Sequence, residues 1–429
     1  MTDQEIAGLG GAFSSYLGRY RGCFLQGRTA RHFDDYCRGL LSDLPRKSVE
    51  PIALASGTAV RTLQEFLATA NWDHLRARDT LQRHLAGLLA TLPADRLGTV
   101  GVFDETSCAK QGDKTPGVQR QHLGCVGKID NGIVTVHVGV ARGRFSALLD
   151  CDLYLPRSWD QDRQRCREAG IPDDVRYLAK WRIAFDQLLR LHANGIRFDW
   201  LTFDEGYGSK VPLLSLLSLT GQRFVAEVPV NFWVRLAGRE EEAHRADGVL
   251  TAAGARLGPR FRIPRQTGPD QWWRAVSVAV QVAGRDYALV AAINEATGEL
   301  KYFVTNATDQ PLRLVLLVAF RRATIEHGFR MGKQEAGLMH YEGRHYVGLM
   351  RHLILALIVL GFVSAHTQRL RGGKPTGDEG AGVPGAEPAL LDAVAPPQGD
   401  VGIPPPRLRD PLPPAPQRAG HTITQEAAA

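Results

Sequence analysis

Cysteine is scarce and scattered in this chain. Its six copies, Cys23, Cys37, Cys108, Cys125, Cys151 and Cys166, never stand as C-x-x-C. That argues against a zinc site and against a disulfide framework, and it suits a reducing compartment. Lysine is scarce too: nine of the 52 bases are Lys and the rest are Arg. Arg forks onto phosphate well, but a GC-rich genome produces the same excess, and composition is the simpler account. Long apolar runs are missing. The most apolar stretch, LILALIVLGFVSA at 353–365, is shorter than the roughly 18–20 residues that span a bilayer, so it reads as a buried core helix. The opening MTDQEIAGLGGAF carries acids early and no basic start, which does not read as a signal peptide. No internal repeat is visible. A cytoplasmic protein without a membrane partner is expected.

The rest of the composition is ordinary. Apolar residues make up 44% and charged residues 23%, as in soluble globular proteins. A length of 429 residues suggests two to three domains. The net charge of +7 points weakly to an anionic partner and says nothing about fold.

Residues 1–95 read as a helical domain, with apolar residues at helical spacing in FSSYLGRYRGCF and RHFDDYCRGLLSDL. A short helix ending near Ala55, a Ser56-Gly57-Thr58 turn and a second helix with Thr58 as N-cap suit a helix-turn-helix. The second helix would offer Arg61, Thr62 and Gln64 outward and bury Leu63, Phe66 and Leu67. A plain helical bundle has the same spacing.

From residue 96 the period changes to that of strands. GTVGVFDE reads as a buried strand closing on acids, and GIVTVHVGVA with FSALLDCDLYLP as a hairpin. The helix AKWRIAFDQLLRLHANG, the strand of FDWLTFDEGYG, the helix KVPLLSLLSLTG and the strand RFVAEVPV follow. The order β–β–β–α–β–α–β over 96–229 is that of an RNase H-like mixed α/β sheet. Residues 230–315 read as a β-rich insertion: a polar, Gly-rich loop, then three strand-like runs. Helix resumes near Pro311 and continues through 316–370, the closing helices of the core. The tail, 371–429, holds 12 of the 24 prolines and should be disordered or polyproline-like.

Three acids stand out. Asp104 and Asp204 close the first and fourth strands, which lie side by side in such a sheet, and Glu326 sits on a helix after the insertion. Clustered carboxylates repel one another. Hard divalent ions relieve that repulsion, and two of them can hold both reacting oxygens of a displacement at phosphorus. On a helical wheel Arg322, Glu326, Arg330 and Lys333 share one face, while Glu335 lies about 180° from Glu326. That face suits a metal ligand with phosphate grips, and equally an exposed face with i,i+4 ion pairs. Glu335 and Glu342 are rival third acids. Glu105 and Glu205 read as solvated or supporting residues. His122, His137 and His340 read as structural.

The segment Arg322, Glu326, Lys333 fits R-x(3)-E-x(6)-K and resembles the signature around the third catalytic residue of DDE transposases of bacterial insertion sequences. KQEAGLMHYEGR, FDET…GVQRQHLGCVGKIDNG and TFDEGYG resemble the same group. The likeness runs from about residue 10 to 370. The Tyr that often precedes the Arg is absent, with Ala319 in its place. The resemblance implies a catalytic, metal-binding triad of Asp104, Asp204 and Glu326, with two Mg²⁺ or Mn²⁺ ions. It implies phosphate contacts by Arg322 and Lys333, with Arg330 on the same face. It also favours terminal-repeat recognition by the helix-turn-helix, and hence DNA contacts at Arg61, Thr62 and Gln64. Trp233, Trp272 and Trp273 are candidates to hold a displaced base. Double-stranded DNA is the implied partner, with at least a dimer when two ends are joined. The implied reaction is cleavage at transposon ends, then 3′-hydroxyl strand transfer. An RNase H-like nuclease without strand transfer, and a DNA-binding derivative without catalysis, are the alternatives.

Overall fold

The structure, a computed structural model, describes residues 3–265 and 268–372. The Pro-rich tail lies outside the described residues from position 373 onward. Five helices open the chain: α1 (Asp3–Gly18), α2 (Gly27–Leu41), α3 (Val49–Ser56), α4 (Val60–Ala68) and α5 (His74–Thr91). Between α3 and α4 Gly57 turns at φ 67°, a left-handed value that suits glycine. The Thr58 N–H then reaches back to the Ala53 carbonyl and closes α3. This moves the start of α4 one residue on. Ala59, with no side-chain cap, stands where Thr58 was expected as N-cap. Leu63, Phe66 and Leu67 are buried as their spacing requires. Arg61 and Gln64 are exposed and Thr62 is half-buried.

The mixed sheet of the RNase H-like fold follows. Its first strands are β1 (Thr99–Ala109), β2 (Gln119–Leu123), β3 (Lys128–Arg142) and β4 (Phe145–Leu153). β3 pairs antiparallel with the other three. Two short helices, α6 (Arg157–Asp160) and α7 (Arg163–Glu168), lead to α8 (Lys180–Ala193). Then come β5 (Trp200–Phe203), α9 (Glu205–Gly208), α10 (Val211–Leu219) and β6 (Phe224–Val228). β5 lies parallel to β1 on one side and to β6 on the other.

Residues 230–315 hold more regular structure than their composition suggests. The stretch read as a polar loop forms a hairpin of β7 (Trp233–Leu236) and β8 (Arg239–Arg245), then α11 (Ala246–Ala252) and β9 (Arg260–Ile263). The three strand-like runs are β10 (Gln271–Val282), β11 (Arg285–Asn294) and β12 (Leu300–Thr305). β12 pairs antiparallel with β6, so these strands lengthen the central sheet.

The closing helix is not continuous. It is α12 (Leu312–Phe320), α13 (Ala323–Gln334) and α14 (Tyr346–Gly372). Between α13 and α14 the chain buries Leu338, Met339 and Tyr341 and turns at Gly337 with φ 60°. α12 covers one face of the sheet, where Val100, Trp200, Val225, Trp273 and Phe303 join its apolar side. α14 is long and apolar enough by composition to cross a membrane, but here it is a core helix. The N-terminal helices close on it. Phe13 packs on Phe362 at 4.7 Å, and the Tyr16 hydroxyl donates to the Ile358 carbonyl at 2.9 Å. Arg351 donates to the carbonyls of Phe66, Leu67, Ala70 and Trp72, where α4 ends.

Candidate active site

The parallel register of β1 and β5 sets Phe103 opposite Phe203. The next residue in each strand is an aspartate, so Asp104 and Asp204 leave the pair side by side. Asp104 does not close its strand as expected. β1 runs on to Ala109 because β3 offers it eleven register partners, whereas β5 stops at Phe203. Asp204 instead caps α9, accepting the Tyr207 N–H at 3.3 Å. The place is the carboxyl end of parallel strands, where loops diverge and α/β sheets bind ligands.

Asp104 is 8% exposed. Burial, then the charge of Asp204, pushes its carboxyl up to about 7, against the pull of Arg322 and of the Glu105 N–H. Between the ordinary carboxyl value and 7 the unfolded chain gives up this proton before the folded one. Ionisation therefore lowers stability as pH rises through that window, by a few kcal/mol in order of magnitude. Without divalent ions, Asp104→Asn should melt several degrees above the parent at pH 8. The gain should shrink as pH falls to 5. Thermal unfolding across pH measures this, and equal melting at pH 8 would contradict it.

The third acid arrives from α13. Arg322 stands at the N-cap of this helix with near-helical dihedrals, so it keeps the i,i+4 relation to Glu326 despite the break before it. Its Nη1 lies 3.2 Å from Oε1 of Glu326 and 3.6 Å from Oδ2 of Asp104. Its Nε lies 4.0 Å from Oε2 of Glu227 on β6. Nothing in the local sequence singles out Glu227, which lies in an otherwise apolar strand. Only the β5–β6 pairing brings it next to Asp204.

The rival acids have other places. Glu342 pairs with Arg46, and Glu335 is the C-cap residue of α13, at the opposite end of the helix from Glu326. Glu105 leaves the opposite face of β1 and pairs with Lys180 at 2.6 Å. It lines a cleft of about 350 Å³ with Tyr154, Trp181, Asp204 and Tyr207. Arg330 is exposed and meets His327 at 2.9 Å, away from the acids. Lys333 is half-buried near His137, whose imidazole is held down to about 3 by burial and then by that charge. His340 accepts the Lys47 N–H at 3.0 Å. Trp273 is core, 1% exposed and 4.6 Å from Phe320. Trp272 is exposed beneath Arg260, and Trp233 is exposed on β7.

Among the described residues no group of three or more His, Cys, Asp or Glu side chains is arranged to hold a metal ion. The chemistry of the donors nevertheless fits a hard divalent ion. Carboxylate oxygens are the ligands such an ion prefers, and Asp104 and Asp204 already repel one another. A guanidinium now stands against two of the acids.

Residues 19–292 match the family model of the DDE superfamily endonucleases. The chain is also 31% identical over 339 residues to the "Probable transposase for insertion sequence element IS701" of Microchaete diplosiphon, covering 77% of this chain and 81% of that one. The chain belongs to the DDE-type transposases of insertion sequences. The family match includes Asp104 and Asp204 and ends before α13. Glu326 as a candidate third acid therefore rests on the Arg322–Glu326–Asp104 geometry and on the resemblance of its signature.

Proposed function

We propose that this transposase cuts DNA at the ends of its element and joins the freed 3′-hydroxyl to target DNA at a single acid cluster. Asp104, Asp204 and Glu326 would hold Mg²⁺ or Mn²⁺, two ions per site. Such ions, when bound, polarise a phosphodiester and raise the nucleophilicity of an attacking oxygen. The chain supplies the rest. Arg322 and Lys333 grip phosphates beside the cut, with Arg330 further along α13. Arg61, Thr62 and Gln64 contact the terminal inverted repeats. Trp233 and Trp272 are exposed enough to stack on a displaced base. Residues 1–95 serve end recognition. Two protomers meet when two ends are joined, in the cytoplasm.

The observation that carries this reading is the parallel register setting Asp104 beside Asp204, with Glu326 one guanidinium away. Cleavage and joining are both in-line displacements at phosphorus, so one cluster serves both. The test is a strand-transfer assay with pre-cut element ends, a supercoiled target plasmid and Mg²⁺. Joined product should form with no cleavage step needed. Cutting of intact ends with no joined product from pre-cut ends would favour a nuclease instead.

A further inference from the structure

The acids assigned above to a divalent ion already face a fixed positive charge. One nitrogen of Arg322 serves both Asp104 and Glu326, while its Nε edge faces Glu227. Arg322 is largely buried, and a guanidinium cannot shed its charge. An incoming divalent ion would therefore compete with it for the same oxygens. Glu227 is anchored independently: its Oε1 holds Lys301 at 2.5 Å across the β6–β12 pair. It can keep a guanidinium that has let go of the other two acids.

We propose that Arg322 is the resident counter-ion of the acid cluster, displaced from Asp104 and Glu326 when a metal ion binds. Glu227 is the positioning residue that then keeps Arg322 beside the site, ready for a phosphate. This rests on reading the acids as metal ligands. A site closed nine-tenths of the time by its own cation binds about tenfold more weakly than an open one. Arg322→Gln should therefore tighten Mn²⁺ binding to the DNA-free protein about tenfold. Glu227→Gln leaves the guanidinium to Asp104 and Glu326 alone, and should weaken Mn²⁺ binding about threefold. In the Arg322→Gln background that second effect should vanish, because the two residues act through one equilibrium.

The experiment is a Mn²⁺ titration of the full chain without DNA, followed by the electron paramagnetic resonance of free Mn²⁺. It compares the parent, both single variants, the double variant and Asp104→Asn. Thermal unfolding checks that each is folded, and Arg322→Met replaces Arg322→Gln if the latter is not. Asp104→Asn should lose binding. If it binds as the parent does, the acids are misread and the proposal falls with them. If Asp104→Asn loses binding but Arg322→Gln binds no tighter than the parent, the counter-ion role alone is overturned. Equal weakening by Glu227→Gln in both backgrounds would mean that Glu227 acts on the metal directly, and would overturn its positioning role.

Discussion

Asp104→Asn, Asp204→Asn and Glu326→Gln should each lower metal-dependent cleavage of element-end DNA about a thousandfold or more. Each change keeps the shape of the side chain and removes one anionic oxygen donor. The fold should survive, since Asp104 destabilises the folded chain when ionised and Glu326 is exposed on α13. Binding of end DNA should stay within about threefold, because phosphate contacts come from basic side chains. Labelled-end cleavage and gel-shift titration on the same preparations separate the two effects. Glu335→Gln and Glu342→Gln serve as controls and should cut normally, since Glu342 is paired with Arg46 and Glu335 stands at the far end of α13 from Glu326. Full activity in any triad variant would remove that residue from the site.

Gly208→Ala should cost about 3 kcal/mol of stability and most of the activity, although it adds one methyl. Gly208 ends α9, the short helix that Asp204 caps. A Cβ placed on it would collide with the Glu227 carbonyl oxygen and lie 3.3 Å from Cβ of Ala226. That carbonyl belongs to a strand held between two others and has little room to yield. The helix must lift instead, and Asp204 moves with it. Gly248→Ala in α11 is the control: a Cβ there meets nothing within 4 Å, so stability should hold or rise slightly. Urea unfolding with the cleavage assay reads both. A Gly208→Ala protein as stable and active as the parent would contradict the close packing of α9 on β6.

The core was legible in sequence where the apolar pattern is strong. β3 alternates in sequence, although its middle is buried on both faces, Gly195 follows the end of α8, and β5 is apolar up to its aspartate. Elements made by pairing rather than pattern were not legible. QRQHL of β2 and REEEAHR of β8 are largely polar, without an apolar alternation, and become strands because β3 and β7 offer partners. The breaks around α13 contain no proline. One follows from the ties of Arg321 to Asp95 and to the Gly143 carbonyl, the other from burying Leu338 and Tyr341. In the site, Asp204 was legible because it directly follows the last residue of β5, whereas Asp104 was singled out for a strand end it does not occupy, since β1 runs on to Ala109. The wheel grouped Arg322 with Glu326, as their 3.2 Å approach agrees. It also grouped Arg330 with them, though Arg330 turns to His327. Glu227 had no local signal, since a cross-strand neighbour three elements away is invisible to spacing.

The packing of the first ninety residues around α14 also bears on how the chain is made. Phe13, Tyr16 and Tyr36 find Phe362, Ile358 and His352 some 316 to 349 positions later. On a ribosome those partners emerge more than three hundred residues after them. The N-terminal helices can close their shared core only once α14 has been made, since contacts this distant in sequence form late. A truncated product lacking α14 would carry the N-terminal helices without the support that shapes them.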